Sequence, residues 1–246
     1  MSAIIDELAL FAPGVKESAV NECDWINFRP VGQISKGSAI EFQIPGTSSE
    51  YILLSKTRLH LKVRILRPDG NPIDTTDEVA LTNLSLHSLI RQADISLNQT
   101  IINSNVGVNY GFKSLLDVTL NYSHDSKNSL LQTEGFYKDE AGYFEDVSSN
   151  TGYIQRKRLT EYGIVDFEGV LHVDITQQPK AILNGVQIGV TLFQSDDDFR
   201  LFTLSGIKYE VEVTEAVLKV CHVRVNPVVM LSHNQRLLKS PAIYSY

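Results

Sequence analysis

Apolar and polar side chains alternate strictly in several stretches of this chain, and a period of two leaves few folds open to it. Leu59, Leu61, Val63 and Ile65 alternate with Arg58, His60, Lys62 and Arg64, so one face of the segment is buried and the other wet. The pattern returns at Ile40, Phe42 and Ile44, at Ala93, Ile95 and Leu97, and at Val165, Phe167, Leu171 and Val173. It appears again at Val186, Ile188, Val190 and Leu192. Residues 208–225 begin by alternating and turn apolar on both sides from Ala216, which predicts a bulge followed by a strand covered on both faces.

Turn residues sit where such strands must end. Pro68-Asp69-Gly70-Asn71-Pro72 closes one strand, and Asn98-Gln99 predicts a tight hairpin between the Ala93–Leu97 run and Thr100. Helical signals are few: residues 110–122, apolar at Phe112, Leu115, Leu116, Val118 and Leu120, and residues 228–238, which follow Asn226 as cap and Pro227 as first helical residue. The stretch 105–164 is too long for a plain loop and carries helical signals of its own. These features predict an all-β fold: an antiparallel jelly-roll β-sandwich with short helices in the long inter-strand loops. No shift in composition divides the chain, so one domain is expected over 25–246, preceded by an N-terminal arm over 1–24.

Composition removes several classes of function. Of the 246 residues, 43% are hydrophobic and 21% charged, which supports a large core and excludes disorder. The longest apolar run, 8–12, is far short of the roughly 20 residues of a membrane span. A net charge of −7 argues against direct nucleic-acid binding through bulk charge. Asp6 and Glu7 occupy the region where a signal peptide carries positive charge, and Cys23 and Cys221 are too few for a disulfide framework. An intracellular, reducing setting is expected, with Cys221 a buried thiol.

Candidate chemistry is thin. His172-Val173-Asp174 followed by His222 has the spacing of a two-histidine, one-carboxylate iron site, but alternation places His172 and Asp174 on the wet face with Asp166 and Glu168. The stretch 107–114 looks like a phosphate loop with its lysine, Lys113, one residue out of place after Phe112. Asp196-Asp197-Asp198 lacks the glycine and distal glutamate of a calcium loop, and Arg156-Lys157-Arg158 reads as the wet side of a turn or helix. No two histidines stand at metal-ligand spacing. No catalytic residue, metal or cofactor is expected.

Specific residues carry a resemblance. Trp25-Ile26-Asn27-Phe28-Arg29-Pro30, Ile40-Glu41-Phe42-Gln43-Ile44-Pro45-Gly46, and Tyr51-Ile52-Leu53-Leu54-Ser55 leading to the Arg58 strand resemble the opening of the Maverick/Polinton-type, adintovirus-like major capsid protein family. The likeness continues through Leu86-His87-Ser88-Leu89, Asn121-Tyr122-Ser123-His124, Gly135-Phe136-Tyr137-Lys138-Asp139, Gly169 to Asp174 and Leu183-Asn184-Gly185-Val186. It implies a double jelly-roll capsid protein, of which this chain has residues for the N-terminal jelly-roll half. It further implies a homotrimeric, pseudo-hexagonal capsomer in an icosahedral shell, contacts with neighbouring capsomers and with minor or penton capsid proteins, and assembly inside the host cell into a virion.

Half of such a subunit leaves an apolar flank uncovered. The candidate interface residues are Leu8, Leu10 and Phe11 near the start and Val228, Met230, Leu237 and Leu238 near the end, with Val229 and Leu231 beside them. An alternative is a single jelly-roll module that binds carbohydrate or protein through Tyr110, Tyr137, Tyr143 and Tyr153. The iron-oxygenase reading requires His172, Asp174 and His222 to converge.

Overall fold

The computed structural model describes residues 19–102, 110–144, 146 and 148–244. The expected alternation is realised in two facing four-stranded sheets. The first has the order β1 (Val20–Phe28), β10 (Glu210–Val225), β3 (Glu50–Leu66), β7 (Val165–Val170). The second has the order β2 (Ile40–Ile44), β8 (Ile188–Gln194), β5 (Ile90–Leu97), β6 (Thr100–Ile101). A separate short pair joins β4 (Val79–Leu81) to β9 (Leu201–Thr203).

Apart from that short pair, the strands nest. The first pairs with the last (β1 with β10), the second with the seventh (β2 with β8), the third with the sixth (β3 with β7) and the fourth with the fifth (β5 with β6), all antiparallel. That is the pairing of one long hairpin folded over on itself, and it defines a jelly roll. The hairpin at its tip has Asn98 and Gln99 at φ 47° and 69°, the left-handed backbone that a two-residue loop between twisted strands requires.

Between the sheets lies a continuous core. Leu59, Leu61, Val63 and Ile65 from one sheet meet Phe42, Ile188, Val190 and Leu192 from the other, all at most 2% exposed. Val186 departs from expectation: β8 starts at Ile188, and Val186 is only half-buried against the core edge. The Val165 strand also stops early, at Val170, although Leu171 and Val173 remain buried beyond it.

β10 behaves as its sequence demands. Its register against β3 shifts between Val213 and Glu215 and again between Lys219 and Cys221. Ala216, Leu218 and Val220 then point into the sandwich, while Cys221, Val223 and Val225 join Tyr51 in a second apolar cluster on the other face. The helix α7 (Pro227–Leu237) covers that cluster with Val229 and Met230. Asn226 caps it, its side chain accepting the Val228 N–H at 3.0 Å.

The domain boundary needs correction. β1 begins at Val20 and pairs with Val225, so residues 20–24 belong to the sheet and not to an arm. Leu8, Leu10 and Phe11 lie outside the described residues.

The long connection packs back onto the sandwich through α2 (Tyr110–Asn121), α3 (His124–Lys127), a 3-10 turn (Leu130–Glu134) and α4 (Thr151–Glu161). Earlier, α1 (Ser85–Ser88) precedes β5; later, α5 (Asp174–Gln177) and α6 (Asp197–Arg200) flank β8.

Leu61 is 1% exposed between the two sheets and Leu120 is 77% exposed on α2. Leu61→Ala should lower the unfolding free energy by about 2–5 kcal/mol in denaturant titration. Leu120→Ala should change it by less than about 0.5 kcal/mol.

Candidate functional site

Two features stand out on this scaffold: an uncovered apolar flank and a buried polar cluster.

The flank is built where β1, β10 and α7 meet. The Asn226 N–H donates to the Ala19 carbonyl at 2.9 Å, which sets the start of α7 beside the start of β1. β1 is an edge strand exposed along nearly its whole length, and Trp25, opposite Cys221 in the ladder, is 50% exposed. On α7, Val228, Leu231 and Leu237 are 75%, 60% and 40% exposed, and Leu238 just beyond it is 88% exposed. Met230, expected on the same flank, turns inward with Val229 onto the Tyr51–Cys221–Val223–Val225 cluster. Burial pushes the Cys221 thiol above its ordinary pKa, as expected of a structural cysteine.

The tail after α7 folds back on its own sandwich. The Tyr244 hydroxyl accepts from the Leu183 N–H and donates to the Ala181 carbonyl, both at 3.2 Å, and Lys180 donates to the Ile243 carbonyl at 2.8 Å. Tail, α7 and strand ends enclose an open groove of about 660 Å³ containing the Tyr51–His233 hydrogen bond. A second apolar surface lies on α2. This helix buries Tyr110, Ser114 and Val118 along one stripe and leaves Phe112, Leu115, Leu116 and Leu120 exposed.

The polar cluster lies under the long connection. His87 of α1, Glu134 of the 3-10 turn and His172 just past β7 are 0%, 3% and 1% exposed. His87 Nε2 and Glu134 Oε2 are 3.2 Å apart, and the two imidazole centroids are 4.7 Å apart, edge to face. His87 Nδ1 meets the Tyr110 hydroxyl at 3.0 Å, and that hydroxyl also accepts the His172 backbone N–H at 3.1 Å. His172 Nδ1 lies 3.4 Å from the Asp117 carboxylate. Burial, reinforced by the facing His87, holds the His172 imidazole below its ordinary pKa and therefore neutral. Burial likewise raises Tyr110 well above the usual phenol range.

Sequence reasoning missed this cluster because it carried period two past the end of β7. With the strand ending at Val170, His172 is released from the wet face and turns inward. The hint in the sequence is a pair of glycines, Gly135 next to the glutamate and Gly169 within β7. Gly135 adopts φ +78° against Ser85 and Phe167, and at Gly169 any Cβ would overlap the Glu134 side chain.

The remaining candidates do not assemble into sites. Asp174 is exposed and pairs with Lys113, and His222 pairs with Glu50 at 3.1 Å and stacks on Phe28, so the proposed iron ligands do not converge. Of the stretch 107–114, residues 107–109 lie outside the described residues; Lys113 is engaged by Asp174 and Ser114 is buried against the Tyr110 carbonyl. Asp197 accepts from the Val211 N–H and binds Arg200 and Lys36, which makes the acidic run a structural clamp. Arg156 corrects another expectation: it is buried, and its guanidinium donates to the Leu81 and Tyr137 carbonyls and to Asp139. Tyr110 and Tyr153 are buried, Tyr137 is half-buried and Tyr143 alone of the four is exposed, so they form no stacking surface.

No protein-family profile matches the chain. A Caenorhabditis elegans protein described as uncharacterized is 24% identical over 186 residues, covering 71% of this chain and 42% of that protein. Among solved structures, a chain of the Sputnik virophage aligns over 92% of this chain and 53% of its own length, with TM-score 0.61 and 10% identity. The Faustovirus major capsid protein aligns over 93% and 58%, with TM-score 0.57 and 9% identity. The chain thus shares its jelly-roll fold with these viral proteins and spans little more than half of each.

Gly169→Ala should cost about 1–3 kcal/mol in thermal or denaturant melts, because Glu134 must move out of its buried place. Gly32→Ala, with open space around its Cβ position, should change stability little. A melt in which the two variants behave alike would contradict the close approach of Glu134 to β7.

Proposed function

We propose that this chain is a structural building block of a viral-type capsid, one jelly roll of a double jelly-roll major capsid protein. The observation that carries the reading is the set of apolar side chains exposed among the described residues on a jelly roll: Trp25 on the edge strand β1, and Val228, Leu231, Leu237 and Leu238 on and just after α7. Large apolar side chains left exposed on a strand edge and on a docked helix favour a surface that is covered on assembly. The fold likeness to the Faustovirus major capsid protein gives that surface a natural occupant, a second jelly roll, since the chain spans 58% of that protein.

The finer reading follows the sequence resemblance. The lineage is of Maverick/Polinton type, the assembly a homotrimeric pseudo-hexagonal capsomer within an icosahedral shell, and the location the virion. Neighbouring capsomers and minor or penton proteins are the partners, with α2 supplying a second apolar contact through Phe112, Leu116 and Leu120. An enzymatic role finds no support in the scattered positions of His172, Asp174 and His222. No helix among the described residues is long and apolar enough to cross a membrane.

Sedimentation velocity over a concentration series tests the reading. The chain is expected to form trimers or larger species, and Val228→Asp with Leu231→Asp, both at exposed positions, is expected to dissociate them without loss of folded structure. A wild-type chain that stays monomeric up to its solubility limit and shows no association with a second jelly roll would overturn it.

A further inference from the structure

The geometry points to a zinc site formed by His87, Glu134 and His172, which clasps the long connection onto the sandwich. Each of the three offers one ligand atom, and these atoms all lie within 4.8 Å of one another. Zinc bonds of about 2.0–2.1 Å in tetrahedral geometry place neighbouring ligand atoms about 3.3 Å apart. The His87–Glu134 separation of 3.2 Å already matches, and the His172 ligand atom lies within 4.8 Å of both.

Two further observations point to a ligand. First, His172 Nε2 is buried with no hydrogen-bond partner, a costly state for a ring nitrogen unless a lone pair is put to use. Second, the far nitrogen of each ring has a partner: His172 Nδ1 lies 3.4 Å from both the Asp117 carboxylate and the Gln177 amide nitrogen, and His87 Nδ1 faces the Tyr110 hydroxyl at 3.0 Å. With the ion bound, Nδ1–H of His172 would be donated to Asp117 and that of His87 to Tyr110, leaving each Nε2 to the metal, the way metal-bound histidines are usually held.

Imidazole nitrogens with a single carboxylate suit zinc, and the set is too poor in oxygen for calcium or magnesium. Three protein ligands leave the fourth tetrahedral position to a bound water, and with all three side chains buried the ion would act by holding the connection in place. The ligands come from three segments far apart in sequence, α1, the 3-10 turn and the end of β7, and metal binding would couple their docking to folding. This assignment departs from the sequence expectation of no metal and is independent of the capsid reading.

The test uses the full chain, purified without chelator, with zinc content measured by elemental analysis and cobalt(II) as a spectroscopic probe. One zinc per chain, tetrahedral cobalt absorption and a lower melting temperature after chelation are expected. His172→Gln and Glu134→Gln should abolish uptake while near-UV circular dichroism stays native, and exposed His124→Gln should change nothing. Asp117→Asn should weaken affinity by about 10–100-fold, because it disturbs only the support of His172. Folded wild-type protein that takes up neither zinc nor cobalt would overturn the site and leave a buried histidine–glutamate pair. Equal stoichiometry in His172→Gln and Glu134→Gln would also overturn it, by placing the ion elsewhere. Should those variants fail to fold, unchanged affinity in Asp117→Asn decides against the site.

Discussion

The ladder between β3 and β10 organises everything else in this molecule. These two long strands run antiparallel from Glu50 against Arg224 to Leu66 against Glu210, joining parts of the chain far apart in sequence. β3 presents its other edge to β7 and β10 presents its other edge to β1, so the pair forms the centre of one sheet. The inner face of the ladder supplies Leu59, Leu61, Val63, Leu218 and Val220 to the core. Its outer face, around Cys221 and Val223, is the ground on which α7 docks. Such long-range pairing must overcome loop-closure entropy before it is rewarded, so contacts that hold the connections down favour it.

Most of the sandwich was legible because alternation is a local signature of a half-buried strand. Phe42, Leu61 and Val190 could be assigned inward without knowing their partners, and the loss of alternation after Ala216 foretold the covered second half of β10. Legibility failed where local periodicity stopped governing. His172 follows the last residue of β7, so strand parity no longer sets its direction. Arg156 looked like surface charge, yet its guanidinium satisfies two backbone carbonyls and Asp139 beneath the connection. The partners of both residues come from segments that sequence spacing cannot bring together. The α2 helix was legible as a helix, but not which of its apolar residues pack inward: Val118 is buried while Phe112, Leu116 and Leu120 are exposed.

Those exposed residues connect fold to function. Among the described residues β1 forms the outer strand of its sheet, and exposed edges invite pairing with another chain. The rigid sandwich, the pinned connection and the open flank together suit a subunit that acts by being placed beside others.

Hydrogen–deuterium exchange on dilute and concentrated protein measures that claim most directly. The account predicts that association slows exchange in β1 and α7 and leaves the already protected β3 and β5 unchanged. Equal exchange of β1 and α7 at both concentrations, in a sample shown to be associated, would contradict it and move the interface elsewhere.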